Sequence, residues 1–338
     1  MKILIRLPNW LGDVVMSTAF IATVQQLYPE AAVDVIVKKE LADVAGLIPG
    51  LNTIYLFSKN EFRGLKGAYR FGRQFAHNQY DLFFNLPTSF SSLVIGWASG
   101  AIKRIGFMNE GGFFMLTNAY KKPLNCHRVQ EYANLLERFS GKNNSANGVE
   151  LNVPVPEAIN KNRVILNFNS EAVSRRMPHE KGLAIINQLT NVFSDTTFTF
   201  IGSPKESTFI EHIINEAENK NRIENLAGKT SLSVLVSLMA SSAVVLTTDS
   251  GPAHLANSVG TPTVVLFGAG NEHNTAPYNK GNLTVIRYGK LSCEPCVKNT
   301  CKIYGVPKCM QLIEIPLIID ALSFYLAPDF NSNRALMH

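Results

Sequence analysis

No segment of this chain reaches the roughly 20 uninterrupted apolar residues that a membrane-spanning helix needs, although 46% of its 338 residues are hydrophobic. Cysteine is scarce, and the five present are an odd number in a long chain, which argues against a secreted disulfide framework. Low-complexity tracts and internal repeats are missing. Charged residues make up only 17% of the chain, a globular and not a disordered composition. No G-x-G-x-x-G follows either of the two strands that open the halves of the chain, which disfavours a dinucleotide-dependent oxidoreductase. The basic residues lack interleaved aromatics, so a nucleic-acid stacking surface is not expected. The opening MKILIRLPNWLGD begins basic and apolar, yet Pro8, Asn9, Gly12 and Asp13 interrupt it too early for a signal peptide. A cytoplasmic protein is expected.

What remains is an excess of base over acid, with a formal charge of +6. It is spread over both halves and points to an anionic ligand or surface, whether phosphate, lipid or nucleic acid. The length suits two domains. Apolar runs at Ile3 to Leu7, Val33 to Val37, Thr53 to Phe57 and Asp81 to Leu86 read as strands, with a helix over Val14 to Tyr28. The alternation is that of an α/β parallel sheet with crossover helices. SGKNNSANG, residues 140 to 148, is the strongest loop signal, and Val149 to Val153 reads as one more strand before Pro154 and Pro156. The boundary is placed there: residues 1–155, residues 156–326 and a tail at 327–338. Strands then recur at Val164 to Phe168, Thr197 to Ile201, Val244 to Thr247 and Thr263 to Phe267, with helices between them and a last helix over Ile315 to Leu326. Two such halves place ligands at the carboxyl ends of their strands.

VVLTTDSGPAHLANSVGTPTVVLFG, residues 244 to 268, carries the sharpest pattern. A buried strand ends at Thr247, and Thr248, Asp249, Ser250 and Gly251 turn it into a helix whose free N–H groups suit a diphosphate. A plain capped helix with Asp249 or Ser250 as N-cap fits equally well. NWLGD, residues 9 to 13, sits at the corresponding place in the first half, where Asp13 is either a base kept ionised by the helix dipole or a cap. NSEAVSRRMP (169 to 178) and GSPKE (202 to 206) offer Arg175, Arg176 and Lys205 to phosphates. Arg63, Lys66, Arg70 and Arg73 recur at helical spacing beside Phe62, Leu65, Tyr69 and Ala76. That band meets an anionic lipid or a phosphorylated acceptor, or is a solvated face; Gly64, Gly67 and Gly72 weaken the helix. Cys293, Cys296, Cys301 and Cys309 form C-x2-C-x4-C-x7-C. Structural zinc and free thiols are both open, and the lack of paired C-x-x-C knuckles favours thiols.

Taken together, PNWLGDVVMSTAF, RRMP, FIGSPKE, NLAGKTSL (225 to 232) and TTDSGPAHLANSVGTPTVVLFG resemble the ADP-heptose-dependent lipopolysaccharide heptosyltransferases of glycosyltransferase family 9, heptosyltransferase II branch. The resemblance spans nearly the whole chain. It implies a GT-B fold of two Rossmann-like domains with parallel sheets facing a central cleft, the first binding the acceptor and the second the nucleotide sugar. It implies inverting, metal-independent transfer of heptose from ADP-heptose to heptosyl-Kdo2-lipid A, with no cofactor required, by a cytoplasmic enzyme peripheral to the inner face of the membrane. In that scheme Asp13 is the general base and Asn9 lies near the transferred sugar. Arg175, Ser250 and Gly251 bind the diphosphate, Asp249 holds sugar hydroxyls and His254 supports the loop. Lys205 and Glu206 lie near the ribose, and Gly228 to Thr230 near the adenine. The final helix is expected to pack back on the first domain.

Four residues in two segments depart from the pattern. Arg175 stands where the family usually has Lys, Met177 where it has Trp, and Asn169-Ser170 where it has Gly-Ala. Other readings keep the fold with another donor or acceptor, as in a heptosyltransferase I or III, or make the chain a non-catalytic sugar-nucleotide or lipid-binding protein.

Overall fold

Strands buried on both faces read as continuous apolar runs, and parallel sheets are built from such strands. The computed structural model describes residues 1–108, 111–143 and 147–327. The chain divides into two units, Met1–Asn152 and Val153–His338. The first contains strands β1 (Lys2–Arg6), β2 (Ala32–Lys38), β3 (Thr53–Phe57), β4 (Leu82–Asn85), β5 (Lys103–Phe107) and β6 (Asn118–Tyr120). The second contains β7 (Asn160–Asn167), β8 (Thr197–Phe200), β9 (Ile223–Asn225), β10 (Ser242–Thr248), β11 (Thr263–Phe267) and β12 (Leu283–Arg287). The two sheets run β3-β2-β1-β4-β5-β6 and β12-β11-β10-β7-β8-β9, with every pairing parallel.

Read from its β9 edge, the second sheet has the same order as the first, the doubly wound 3-2-1-4-5-6. In such a sheet the winding reverses between the first and fourth strands, and the crevice at their carboxyl ends receives ligands. That switch point lies at Arg6 and Asn85 in the first unit, which are paired in register. In the second it lies at Asn167 and Thr247, also paired. All seven residues of β10 are buried, as a central parallel strand requires. Leu4, Ile36, Phe71 and Phe83 centre one core, and Leu166, Phe168, Phe200 and Leu246 another. Each such fully buried side chain contributes about 1.5–3 kcal/mol.

Several expectations are revised. The stretch read as one helix over Val14 to Tyr28 is two, Leu11–Met16 and Thr18–Leu27. Ser17 and Thr18 turn their hydroxyls back on the Val14 and Val15 carbonyls, a bond that bends helices. Val149 to Val153 is not a strand. Its amides find single partners outside any sheet, Glu150 on the Thr18 hydroxyl and Asn152 on the Leu47 carbonyl. The glycines of Gly64–Arg73 do not weaken that helix, and two of them permit close packing. A Cβ on Gly72 would come 2.5 Å from the Ile95 carbonyl, and one on Gly67 2.3 Å from the Phe62 backbone. The last helix is Ile315–Leu326, as read. Ile318, Leu322 and Tyr325 join the core of the second unit, where Tyr325 also shares a hydrogen bond with Thr284. The expected tail at 327–338 lies outside the described residues beyond Ala327.

Candidate active site

In the first unit, the chain leaves β1 through Leu7, Pro8 and Asn9 and enters the helix Leu11–Met16, with Trp10 as N-cap and Asp13 in the first turn. Arg6, only 2% exposed, sits below this loop. It donates to the Leu7 and Ile36 carbonyls and to Asn9 Oδ1 at 2.8 Å, and its guanidinium lies over the Phe57 ring. Burial without a carboxylate partner lowers the Arg6 pKa to about 10. Asn9 is thus positioned by an arginine that sequence reasoning did not single out.

Asp13 is met by a second arginine. Arg128 Nε stands 3.4 Å from Asp13 Oδ1, while Arg128 Nη1 reaches both oxygens of Glu131 at 2.9 Å. Lys122 closes on Glu131 at 3.0 Å. Burial opposes the Arg128 charge, but Asp13, Tyr132 and Glu131 outweigh it and raise its pKa. The Asp13 side chain keeps 22% of its surface open, enough for a hydroxyl to reach it.

In the second unit, Asn167 at the end of β7 ties the switch point together. Its amide donates to the Asn169 carbonyl, Thr247 Oγ1 and Ser250 Oγ. Ser250 is the N-cap of Gly251–Ser258, with Pro252 in the first turn and no side-chain cap bond. His254 is buried within that helix. Asp249, 4% exposed, pairs with Arg175 Nη1 at 3.2 Å and presses on Gly270, where a Cβ would come 2.0 Å from its Oδ2. Burial raises the Asp249 pKa to about 6, against the pull of Arg175 and Arg287 and with a push from Glu272. Arg287 was not anticipated either. From β12 it donates to the Gly268 and Gly270 carbonyls and binds Glu272, which sets the loop that backs Asp249.

Arg175 ends a short turn docked through Ser174 on the carbonyls of Asn299 and Lys298. Arg176 is exposed and donates to the Ser170 carbonyl at 2.5 Å and to the Glu171 carbonyl at 3.5 Å, while the half-buried Arg175 turns to Asp249. Lys205 is exposed. Glu206 accepts from the Ser203 amide in a capping box. Gly228, at φ +72°, lies against Pro204 and donates to the Gly202 carbonyl, which brings the Thr230 loop beside Lys205 and Glu206.

Arg63, Lys66, Arg70 and Arg73 are all exposed, with Leu65 and Tyr69 exposed among them. They lie along the helix Gly64–Arg73, which follows β3 with Arg63 as its N-cap, and Arg70 donates back to the Glu61 carbonyl. Cys293, Cys296, Cys301 and Cys309 follow one another in the segment after β12. All four are free thiols, and no group of three His, Cys, Asp or Glu among the described residues is arranged to hold a metal ion. Cys309 is buried with its Sγ close to Gly268, and burial and Glu294 push its thiol up to about 11. Among the described residues no helix is long and apolar enough to cross a membrane.

Residues 68–306, more than half of the chain, match the profile of glycosyltransferase family 9 (heptosyltransferase). The lipopolysaccharide core heptosyltransferase OpsX of Haemophilus influenzae is 27% identical over 79% of each chain. The lipooligosaccharide heptosyltransferase 2 of Haemophilus ducreyi is 26% identical over 86% of this chain and 92% of its own. Among solved structures, the E. coli ADP-heptose LPS heptosyltransferase II has the same fold, with a TM-score of 0.80 at 22% identity over 96% of this chain and 98% of that one. With the switch-point geometry above, these likenesses show that the chain is a glycosyltransferase of the GT-B fold and belongs to glycosyltransferase family 9, the heptosyltransferases.

Proposed function

We propose that this chain is an inverting transferase that moves L-glycero-D-manno-heptose from ADP-heptose to heptosyl-Kdo2-lipid A, the lipopolysaccharide inner core, with Asp13 as general base. The observation that carries this reading is Asp13 itself, a carboxylate at the carboxyl end of β1, set by Arg128 and open to an incoming hydroxyl. The heptosyltransferase 2 relatives support the donor and acceptor.

In this reading Asp13 takes the proton of the acceptor hydroxyl as its oxygen forms the new bond to the anomeric carbon. The bond from that carbon to the phosphate oxygen breaks, and ADP leaves with the electron pair. Arg175, Ser250 and the free N–H groups opening Gly251–Ser258 receive the charge that develops on the diphosphate. Asp249 orients Arg175, and Lys205, Glu206 and Thr230 line the nucleoside side. A fixed guanidinium and a helix end stabilise the leaving group without a metal ion. Arg63, Lys66, Arg70 and Arg73 face the anionic, lipid-anchored acceptor at the membrane surface.

ADP release from the purified protein given ADP-heptose, with and without heptosyl-Kdo2-lipid A, tests the reading. Release that needs this acceptor and vanishes in Asp13→Ala is expected. Release that ignores the acceptor, or survives the substitution, refutes it.

A further inference from the structure

Trp10 breaks two local rules at once. It is the N-cap of Leu11–Met16, yet its side chain makes no cap bond. Ser, Thr, Asp or Asn at that position would satisfy an amide and stabilise the helix. It is also 57% exposed, while Leu7 to Asn9 and Leu11 to Asp13 are buried or half-buried. An indole is the largest apolar side chain, and leaving it in water forgoes the gain of burying it. Residues that break local rules in this way mark places where function overrides stability.

The setting says which function. N-cap and third-residue side chains are neighbours at a helix start, the relation a capping box uses. Trp10 and Asp13 hold those two positions. From the end of β2, Lys38 places its ammonium over the indole, 5.3 Å from the ring centre, which orients the ring and adds positive charge. An exposed, oriented aromatic face beside a carboxylate suits the apolar C–H face of a sugar ring, and the adjacent cation suits an anionic substituent on that sugar.

We infer that Trp10 and Lys38 form the acceptor platform: the indole stacks on the acceptor sugar and presents its hydroxyl to Asp13, while Lys38 meets an anionic group of the same acceptor. This rests on the transferase reading above, and the experiment separates the two.

The chain has two tryptophans, so Trp97→Phe leaves Trp10 as the sole indole reporter. The probe is deacylated heptosyl-Kdo2-lipid A, free of its acyl chains. Saturable change in Trp10 emission with this probe is expected, with none in Trp10→Ser, which keeps only Trp97. In steady state Trp10→Ser raises KM for the acceptor about tenfold, the scale of one lost aromatic stacking contact, and leaves KM for ADP-heptose unchanged. Its Tm does not fall, because serine caps the helix; a merely structural Trp10 would lower it. Lys38→Gln weakens the same step, and dephosphorylated or carboxyl-reduced acceptor tells whether phosphate or carboxylate meets the ammonium. A Lys38→Gln loss that is undiminished on both acceptors overturns the ionic contact. Turnover with unmoved Trp10 emission, or an acceptor KM unchanged in Trp10→Ser, overturns the platform. A Trp10 response without transfer in the unsubstituted enzyme supports the platform and refutes the transferase reading instead.

Discussion

The two units have the same strand order, and each places its chemistry at the carboxyl ends of its first and fourth strands. What stands there differs. In the first unit the carboxylate of Asp13 is partly open and the arginines Arg6 and Arg128 are the supporting groups. In the second the roles are exchanged: Asp249 is the buried support, and Arg175, with 26% of its side chain exposed, is the group within reach of a ligand. A shared topology selects the place, and the side chains delivered there select the chemistry. In the proposed scheme one arrangement accepts a proton and the other receives an anion.

The sharpest way to break that comparison is to remove the accepting group. Asp13→Asn should lower turnover by about a thousandfold, the range of general-base catalysis, with ADP-heptose affinity unchanged in calorimetry. Weaker donor binding in that variant would mean that the two chemistries are not divided between the units.

The next effect lies in the second unit. The fold raises the Asp249 pKa from 3.8 to about 6, so the native state favours the protonated acid. Its contribution to stability is full below pH 3.8 and is lost as pH rises through about 6. Between about pH 4 and 7.5 the wild type should lose about 2 kcal/mol relative to Asp249→Asn in urea denaturation. Parallel curves would show that Asp249 is not the strained support described here.

Arg175→Ala should raise KM for ADP-heptose by about thirtyfold, equivalent to roughly 2 kcal/mol for a charge-assisted contact, with acceptor KM unchanged. Arg175→Lys should recover part of it, since a point charge replaces the fork. The smallest change tests the scaffold alone. Gly72→Ala forces a Cβ toward the Ile95 carbonyl and should cost about 1–2 kcal/mol of stability with turnover intact below the melting range.

Much of this was legible in the sequence, and the failures share a cause. Long apolar strands such as Val164 to Phe168 and Thr263 to Phe267 announce themselves, whereas β6 and β9 have three residues each, too few for a pattern to register. β5 opens with Lys103 and Arg104, which hides its apolar end. NWLGD and TTDSG were recognisable because a polar turn after a buried strand is a local feature. Arg6 and Asn85 were missed although each closes an apolar strand, a signal that was present and not used.

By itself the sequence determined the alternation of strands and helices, the turns that start the helices at Asp13 and Ser250, and the family to which they belong. These depend on periodicity and capping, which act between residues a few positions apart. Only the tertiary structure decided that Arg128 meets Asp13, that Arg287 secures the loop behind Asp249 and that the last helix packs on the second unit. It also decided that Trp10 stays in the open under Lys38. Those contacts join residues far apart in the chain, and strand order brings them together where no local pattern can.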